Sequence, residues 1–226
     1  MALGVIPDGN RRWARMQGVP YHQGYRTSMS VLLEVISQFF LQAPTLQTIV
    51  IYMMSRRNLS RKRDDLDAVI AAETEFCDRA LPLLCEQLDA RVIPVGLSNL
   101  EDVLAASLTA ATVERYTSAF RGVRERTTHH KQRTVYLLAG YDPFDELTRV
   151  ASRADMTRIS VDSLEVPLML DLVVRTGNVR RLSDFVPLQA GYAELFFLDK
   201  MFPDVTPQDV GAILEEYHSR VRTFGS

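Results

Sequence analysis

The sequence predicts an α/β protein with a mainly parallel central sheet flanked by helices. Two observations predict it. Short apolar runs alternate with longer amphipathic stretches along the whole chain, the pattern of strands buried on both faces and joined by crossover helices. At 226 residues and 46% hydrophobic content the chain can also build one sizeable core. Ala2–Ile6 reads as the first strand and runs into the polar turn Pro7-Asp8-Gly9-Asn10-Arg11-Arg12-Trp13, where a helix begins. Residues 24–41 form a helical pattern with Val31, Leu32, Val35, Ile36 and Phe39 on one face. Thr48–Met53 is a buried strand, and residues 63–88 are a long helix bent near Pro82. Arg91–Val95 is a short strand, residues 99–119 a helix, and the polar stretch Arg124–Arg133 a surface loop. Thr134–Ala139 is a strand, followed by a helix over 143–153. Leu168–Val174 and Glu194–Leu198 are the last strands. A final helix spans 206–222, begun by Thr206-Pro207 and closed by Gly225. With no internal repeat and no low-complexity linker, residues 1–226 read as one domain.

Composition narrows the function classes. Lys+Arg is 26 and Asp+Glu is 28, a net charge of -2, which argues against a whole-surface nucleic-acid binder. No run of about 18 apolar residues occurs and no signal peptide is visible, so stable membrane insertion is not expected. The two cysteines, Cys77 and Cys85, lie too far apart along one helix for a disulfide. They read as buried thiols in a reducing cytoplasm.

In open α/β sheets ligands bind beyond the carboxyl ends of the strands. Three strand ends carry polar or basic groups: the Asp8 turn, Ser55-Arg56-Arg57-Asn58, and Arg175-Thr176-Gly177-Asn178. A helix start exposes unpaired N–H groups and partial positive charge. Arg11 and Arg12 add cationic charge there, and Asp8 can hold a metal against the same anion. Arg175, Arg180 and Arg181 lie close together, with Ser183 just beyond them. Guanidiniums this close repel unless an anion sits between them, and their planar forks suit phosphate. Charge alone leaves a second reading open, a solvated loop paired with Asp184 and Glu194. Together the three strand ends point to an enzyme that handles diphosphates.

These stretches resemble the cis-prenyltransferases, the family that includes undecaprenyl diphosphate synthase. The family pattern Asp-Gly-Asn-Gly-Arg-Trp-Ala is met by Asp8-Gly9-Asn10-Arg11-Arg12-Trp13-Ala14. Phe-Ser-x-x-Asn-Trp-x-Arg is met by Met54-Ser55-Arg56-Arg57-Asn58-Leu59-Ser60-Arg61. The third segment keeps its spacing through Arg175-Thr176, Arg181-Leu182-Ser183-Asp184-Phe185, Gln189 and Tyr192-Ala193-Glu194-Leu195. Phe202-Pro203-Asp204 is similar to the Trp-Pro-Asp that follows. The resemblance implies a twisted parallel sheet, a homodimer, prenyl diphosphate substrates and Mg²⁺. It further implies that Asp8 holds Mg²⁺ on the departing diphosphate, assisted by Glu194. Gly9, Asn10 and Arg12, with Arg11 beside them, would bind the allylic diphosphate. Arg175, Arg181 and Ser183 would grip the second diphosphate, and Asn58 and Ser55 would position the reacting centre.

The departures from the family pattern are also informative. Arg11 and Asn178 replace glycines, and Val179 replaces a glutamate. Leu59 and Leu188 replace tryptophans, Tyr21 an arginine and Tyr25 a histidine, and Ala139-Gly140-Tyr141-Asp142-Pro143 stands where Asn-Tyr-Gly-Gly-Arg is usual. Pro7, Arg11, Arg12 and Pro187-Leu188 are similar to the bacterial lavandulyl and cyclolavandulyl diphosphate synthases, which join prenyl units head-to-middle. That likeness implies irregular coupling of dimethylallyl diphosphate with dimethylallyl or geranyl diphosphate. The alternatives are ordinary cis-elongation with isopentenyl diphosphate and a non-catalytic partner subunit; the latter is disfavoured because Asp8, Gly9 and Asn10 are kept. No proton-abstracting base is evident apart from diphosphate itself or a pocket tyrosine. Asp64, Asp65 and Asp67 read as acids complementing a helix start, and His129-His130 as loop residues without a third zinc ligand. His22 is a possible phosphate contact, and Trp13 reads as packing.

Overall fold

The computed structural model describes residues 1–97, 100, 104, 108–153 and 158–221. Its centre is a six-stranded sheet of β1 (Ala2–Ile6), β2 (Thr48–Ser55), β3 (Ala90–Val95), β4 (Arg133–Tyr141), β5 (Leu172–Arg175) and β6 (Glu194–Phe197). The order is β3-β4-β2-β1-β5-β6, and every pairing is parallel. The helices are α1 (Asn10–Met16), α2 (Tyr21–Gln42), α3 (Arg63–Glu75), α4 (Leu81–Leu88), α5 (Ala110–Thr127), α6 (Pro143–Ala151) and α7 (Pro207–Ser219). Alternate strand residues face opposite ways, so the sheet has two cores. Leu3, Val5, Ile49, Ile51, Leu137 and Val174 pack with the apolar faces of α2, α3 and α5. Ala2, Ile6, Val50, Leu138 and Val173 pack instead against Val166, Leu170, Phe185 and Val186. Much of this second face is covered by residues 166–170 and 182–193, which form no helix.

The element boundaries differ from expectation for physical reasons. α2 begins at Tyr21, because Pro20 supplies an extended N-cap. The long helix is interrupted by a π-helical turn at Phe76–Ala80, just before Pro82. Pro82 has no N–H to donate backwards, and Arg126 Nη2 reaches the loosened carbonyls of Cys77 and Asp78 at 2.9 and 3.4 Å. α5 continues to Thr127, through part of the expected surface loop, because Val123 and Thr127 are buried. Thr127 Oγ1 also accepts from the Val92 amide of β3 at 2.9 Å. Most of the expected helix start between 99 and 107 lies outside the described residues, as does Gly225. β5 starts only at Leu172; Leu170 donates its amide to the Gln189 carbonyl at 2.8 Å and leaves the ladder. Cys77 and Cys85 are buried free thiols, and burial pushes the Cys85 thiol up to about 12. Among the described residues no helix is long and apolar enough to cross a membrane.

This topology places the cleft. The chain leaves the central β1 for β2 on one side and reaches β5 on the other. The carboxyl ends of β2, β1 and β5 therefore stand side by side at a topological switch point.

Candidate active site

At that switch point lies a cavity of about 570 Å³, within the usual range for a small-molecule site. Asp8, Ser55 and Arg175, from the ends of three adjacent strands, all line it. The turn after β1 is held from two sides. The Asp8 amide donates to Thr176 Oγ1 at 2.9 Å, and the Asp8 carbonyl accepts from the Phe202 amide at 3.1 Å. Trp13 Nε1 donates to Asp204 Oδ1 at 2.7 Å, so Trp13 and the Phe202-Pro203-Asp204 turn serve as braces. Gly9 adopts φ 108°, and a Cβ there would lie 2.7 Å from Met201 Sδ and 3.1 Å from Met201 Cα. Left-handed backbone and a blocked Cβ together demand glycine. Gly9→Ala is expected to destabilise the protein by about 1–2 kcal/mol from the left-handed strain alone, read by denaturant unfolding; an unchanged midpoint would contradict the described turn.

Asp8 is the electrostatic centre. Its Oδ2 accepts from Arg175 Nη2 at 2.8 Å, its Oδ1 accepts from the Gly9 amide at 2.6 Å, and Arg12 Nη2 stands 3.6 Å from Oδ1. The carboxylate is about one-third exposed (34%), so it faces solvent as well as cations. Arg175 is buried and turned inward. Its Nη1 donates to the Arg181 carbonyl at 2.6 Å and to Ser183 Oγ at 2.9 Å. Arg175 therefore braces the loop that carries Arg181 and Ser183, rather than presenting an open fork to a ligand. That loop is strained: Asn178, Ser183, Asp184 and Val186 have φ of 52°, 54°, 65° and 26°. Such residues cost on the order of 1–3 kcal/mol each and persist only where neighbours over-determine them. Here the Tyr52 hydroxyl holds the Ser183 carbonyl at 3.1 Å, and Arg57 pairs with Asp184 at 3.4 Å.

Ser55 and Asn58 cap each other across the 3-10 turn Arg56–Ser60, with Asn58 N to Ser55 Oγ and Ser55 N to Asn58 Oδ1 both at 3.3 Å. The β2–β4 register shifts between Tyr52 and Ser55. This irregularity turns Tyr52, Met53 and Ser55 all toward the cleft. Arg56 is paired with Asp145. Asn10 lines the cleft with its side chain already engaged, donating to the Pro7 carbonyl at 3.1 Å and accepting from Ser28 at 2.9 Å. α1 has only seven residues, so the guanidiniums contribute more positive charge here than the helix start does.

Besides Arg175, expected to grip a diphosphate, two further sequence expectations change. Arg11 is tied to Asp65, its Nη1 at 2.8 Å from Oδ2. Asp65 also accepts from the Tyr25 hydroxyl at 2.9 Å, and Arg61 Nη1 donates to that hydroxyl at 3.1 Å. Asp65 is therefore a buried ion-pair hub, although its position in the sequence suggested only a helix start. The contact joins residues 54 apart, which no local pattern reveals. Glu194 is not brought to Asp8 within the chain. It pairs with Leu172 in the sheet, three residues from the Arg175 end of β5, and bonds Arg220 at 2.7 Å. Three residues of strand amount to about 10 Å. Tyr21, Tyr25, Tyr52, Arg61 and Glu73 also line the cleft; Tyr21 and Tyr25 were noted as departures and Arg61 as part of a family segment, while Tyr52 and Glu73 were not singled out. Glu73 could have been noticed as an acid among the apolar residues Leu66, Val69 and Ile70 of α3. His130, read with His129 as a loop residue without a third zinc ligand, lies between Asp89 at 2.9 Å and Glu86 at 3.3 Å, while the exposed His22 does not line the cleft.

A parallel sheet with a carboxylate and several arginines at its switch point defines a class of enzyme that acts on anionic substrates. The chain belongs to the prenyltransferase family described as putative undecaprenyl diphosphate synthase, whose model matches residues 6–225. It is 32% identical to an isoprenyl transferase of Campylobacter jejuni, covering 99% of this chain and 97% of the relative. It is also 32% identical to a geranylgeranyl-diphosphate-specific tritrans,polycis-undecaprenyl-diphosphate synthase of Aeropyrum pernix, with 99% and 97% covered. Among solved structures, a lavandulyl diphosphate synthase from Lavandula x intermedia in complex with dimethylallyl diphosphate superposes with TM-score 0.84 at 22% identity, covering 100% of this chain and 98% of that one. A probable undecaprenyl diphosphate synthase from Campylobacter jejuni superposes with TM-score 0.73 at 27% identity, again covering 100% and 98%. The chain is thus a prenyltransferase, and the solved structures share its fold.

Proposed function

We propose that the protein couples short allylic diphosphates head-to-middle, joining dimethylallyl diphosphate to dimethylallyl or geranyl diphosphate to give a branched, lavandulyl-type diphosphate. The observation that carries this reading is the Arg11–Asp65–Tyr25 network. Arg11 and Tyr25 are two positions where the chain departs from the elongating family pattern; both line the cleft, and both bond one buried carboxylate behind them. Substitutions that meet on a shared partner reshape a site together. The solved lavandulyl diphosphate synthase supports the fold of this reading, while the names of the sequence relatives favour the alternative, cis-polyprenyl elongation with isopentenyl diphosphate.

In this reading Arg12 and the amides after Gly9 bind the diphosphate of the allylic donor, and Arg181 and Ser183 bind that of the acceptor. Ser55 and Asn58, locked by their mutual cap, position the reacting centre. Allylic C–O cleavage leaves a delocalised cation and a highly charged diphosphate, and the surrounding arginines stabilise that charge. Mg²⁺ commonly takes one or two carboxylates, with waters and substrate phosphates completing its shell. The partly exposed Asp8 suits such a site, whereas Glu194 of the same chain does not reach it. When bound, Mg²⁺ neutralises charge on the departing diphosphate. A cytoplasmic homodimer remains part of the proposal.

Incubation with Mg²⁺ and dimethylallyl diphosphate, alone and with geranyl or isopentenyl diphosphate, tests the reading. Mass spectrometry after phosphatase treatment is expected to find branched ten- or fifteen-carbon alcohols. Long linear polyprenols would establish elongation instead.

A further inference from the structure

The inner wall of the cleft carries a charge-bearing group that the proposed chemistry does not use. Glu73 is fully buried on the face of α3 that also presents Asp65 and Val69, one helical turn apart. It lines the cleft together with the apolar Met29, Met53 and Val69. Its Oε2 accepts from the buried Tyr116 hydroxyl at 2.5 Å, and its Oε1 is buried without a hydrogen-bond partner. Burial pushes its carboxyl up to about 7. Asp65, which holds Arg11, marks the arginine-rich end of the cleft. Glu73 follows eight residues later, about 12 Å further along the helix. An isoprene unit has four C–C bonds along the chain and extends about 5 Å, so this stretch of α3 spans about two units.

We propose that Glu73 is a specificity-determining end wall that restricts the cleft to allylic diphosphates of one or two isoprene units. The inference rests on the proposed function and names its substrate class more closely. A short chain stops over Val69 and Met29 and leaves Oε1 alone. A longer one packs hydrocarbon over the carboxyl and shuts out the cleft water that would otherwise solvate it when it ionises, which lowers binding by about 10- to 100-fold. Tyr116 stands behind the carboxyl and holds it in place.

The test compares dimethylallyl, geranyl and farnesyl diphosphates in the wild type, Glu73→Gln, Glu73→Leu and the double variant Glu73→Leu/Tyr116→Phe. The double variant removes both polar partners at once and so avoids leaving the tyrosine hydroxyl unpaired. Turnover with Mg²⁺ and calorimetric affinity are both read, with thermal melting as the check on folding. In the leucine variants the kcat/KM ratio of farnesyl over dimethylallyl diphosphate is expected to rise by about 10- to 100-fold, and the affinity ratio with it. Glu73→Gln keeps the wild-type ranking, because its amide oxygen still accepts from Tyr116. An unchanged ratio in a folded leucine variant overturns the proposal. A loss of more than about 100-fold with dimethylallyl diphosphate in both Gln and Leu variants also overturns it, marking Glu73 as a proton-transfer group. If the wild type couples none of these substrates, the proposed function fails, and the affinity ratios alone decide the role of Glu73.

Discussion

Asp8→Ala is expected to lower prenyl transfer by about 10³-fold, the scale seen when one pre-organised electrostatic group is removed from a developing charge. Asp8 sits where both neighbouring strand ends converge, and its two oxygens face Arg175, Arg12 and the Gly9 amide. Among the described residues that line the cleft, Asp8 is the carboxylate at the strand ends that can join a metal to a diphosphate, and the alanine variant loses it. It also leaves the buried Arg175 guanidinium without its counter-charge. Asp8→Asn separates these effects, because its amide oxygen still accepts from Arg175 while binding Mg²⁺ poorly. Both variants are expected to lose turnover at saturating Mg²⁺, and only the alanine variant should also unfold at lower denaturant. Wild-type turnover in Asp8→Ala would refute the assigned role.

Arg175→Ala is the second large effect, and it acts on stability as well as activity. The side chain is 5% exposed and connects the Asp8 carboxylate, the Arg181 carbonyl and Ser183. Removing it frees a strained loop and strands a carboxylate. Breaking a fully buried pair costs about 3–5 kcal/mol; because Asp8 stays partly solvated, about 2–3 kcal/mol is expected. The same change should raise KM for the acceptor diphosphate, since Arg181 and Ser183 lose their anchor. Arg175→Lys is expected to recover little, because a single ammonium cannot reproduce a planar fork between three acceptors. Urea unfolding with steady-state kinetics checks both statements. Wild-type stability together with wild-type KM would contradict the bracing role.

The sheet was legible because its cause is local. Each of its strands is announced by a short run of apolar residues, and parallel order follows from the helices that join the first five; β5 and β6 are parallel with no helix between them. Boundaries were less legible where a distant partner decides them. α5 extends to Thr127 because Val92 donates to that side chain, and the π turn before Pro82 is met by Arg126 from another helix. The candidate site divides in the same way. Asp8, Gly9, Ser55, Asn58 and the Arg175–Ser183 segment stand out because turn residues and charges follow apolar runs directly. Asp65 was read as an acid at a helix start, and Glu73 was not singled out at all.

By itself the sequence determined the alternation of strand and helix, the three polar strand ends and the family to which they belong, since these depend on neighbours in the chain. Only the tertiary structure decided what each charge faces. It turned Arg175 inward as a brace and placed Glu194 beside Arg220. It also joined Arg11 to Asp65 and set Glu73, with an unpaired oxygen, among the residues lining the cleft. A charge takes its meaning from the groups within a few ångströms, and in this fold those groups come from residues tens to more than a hundred positions away.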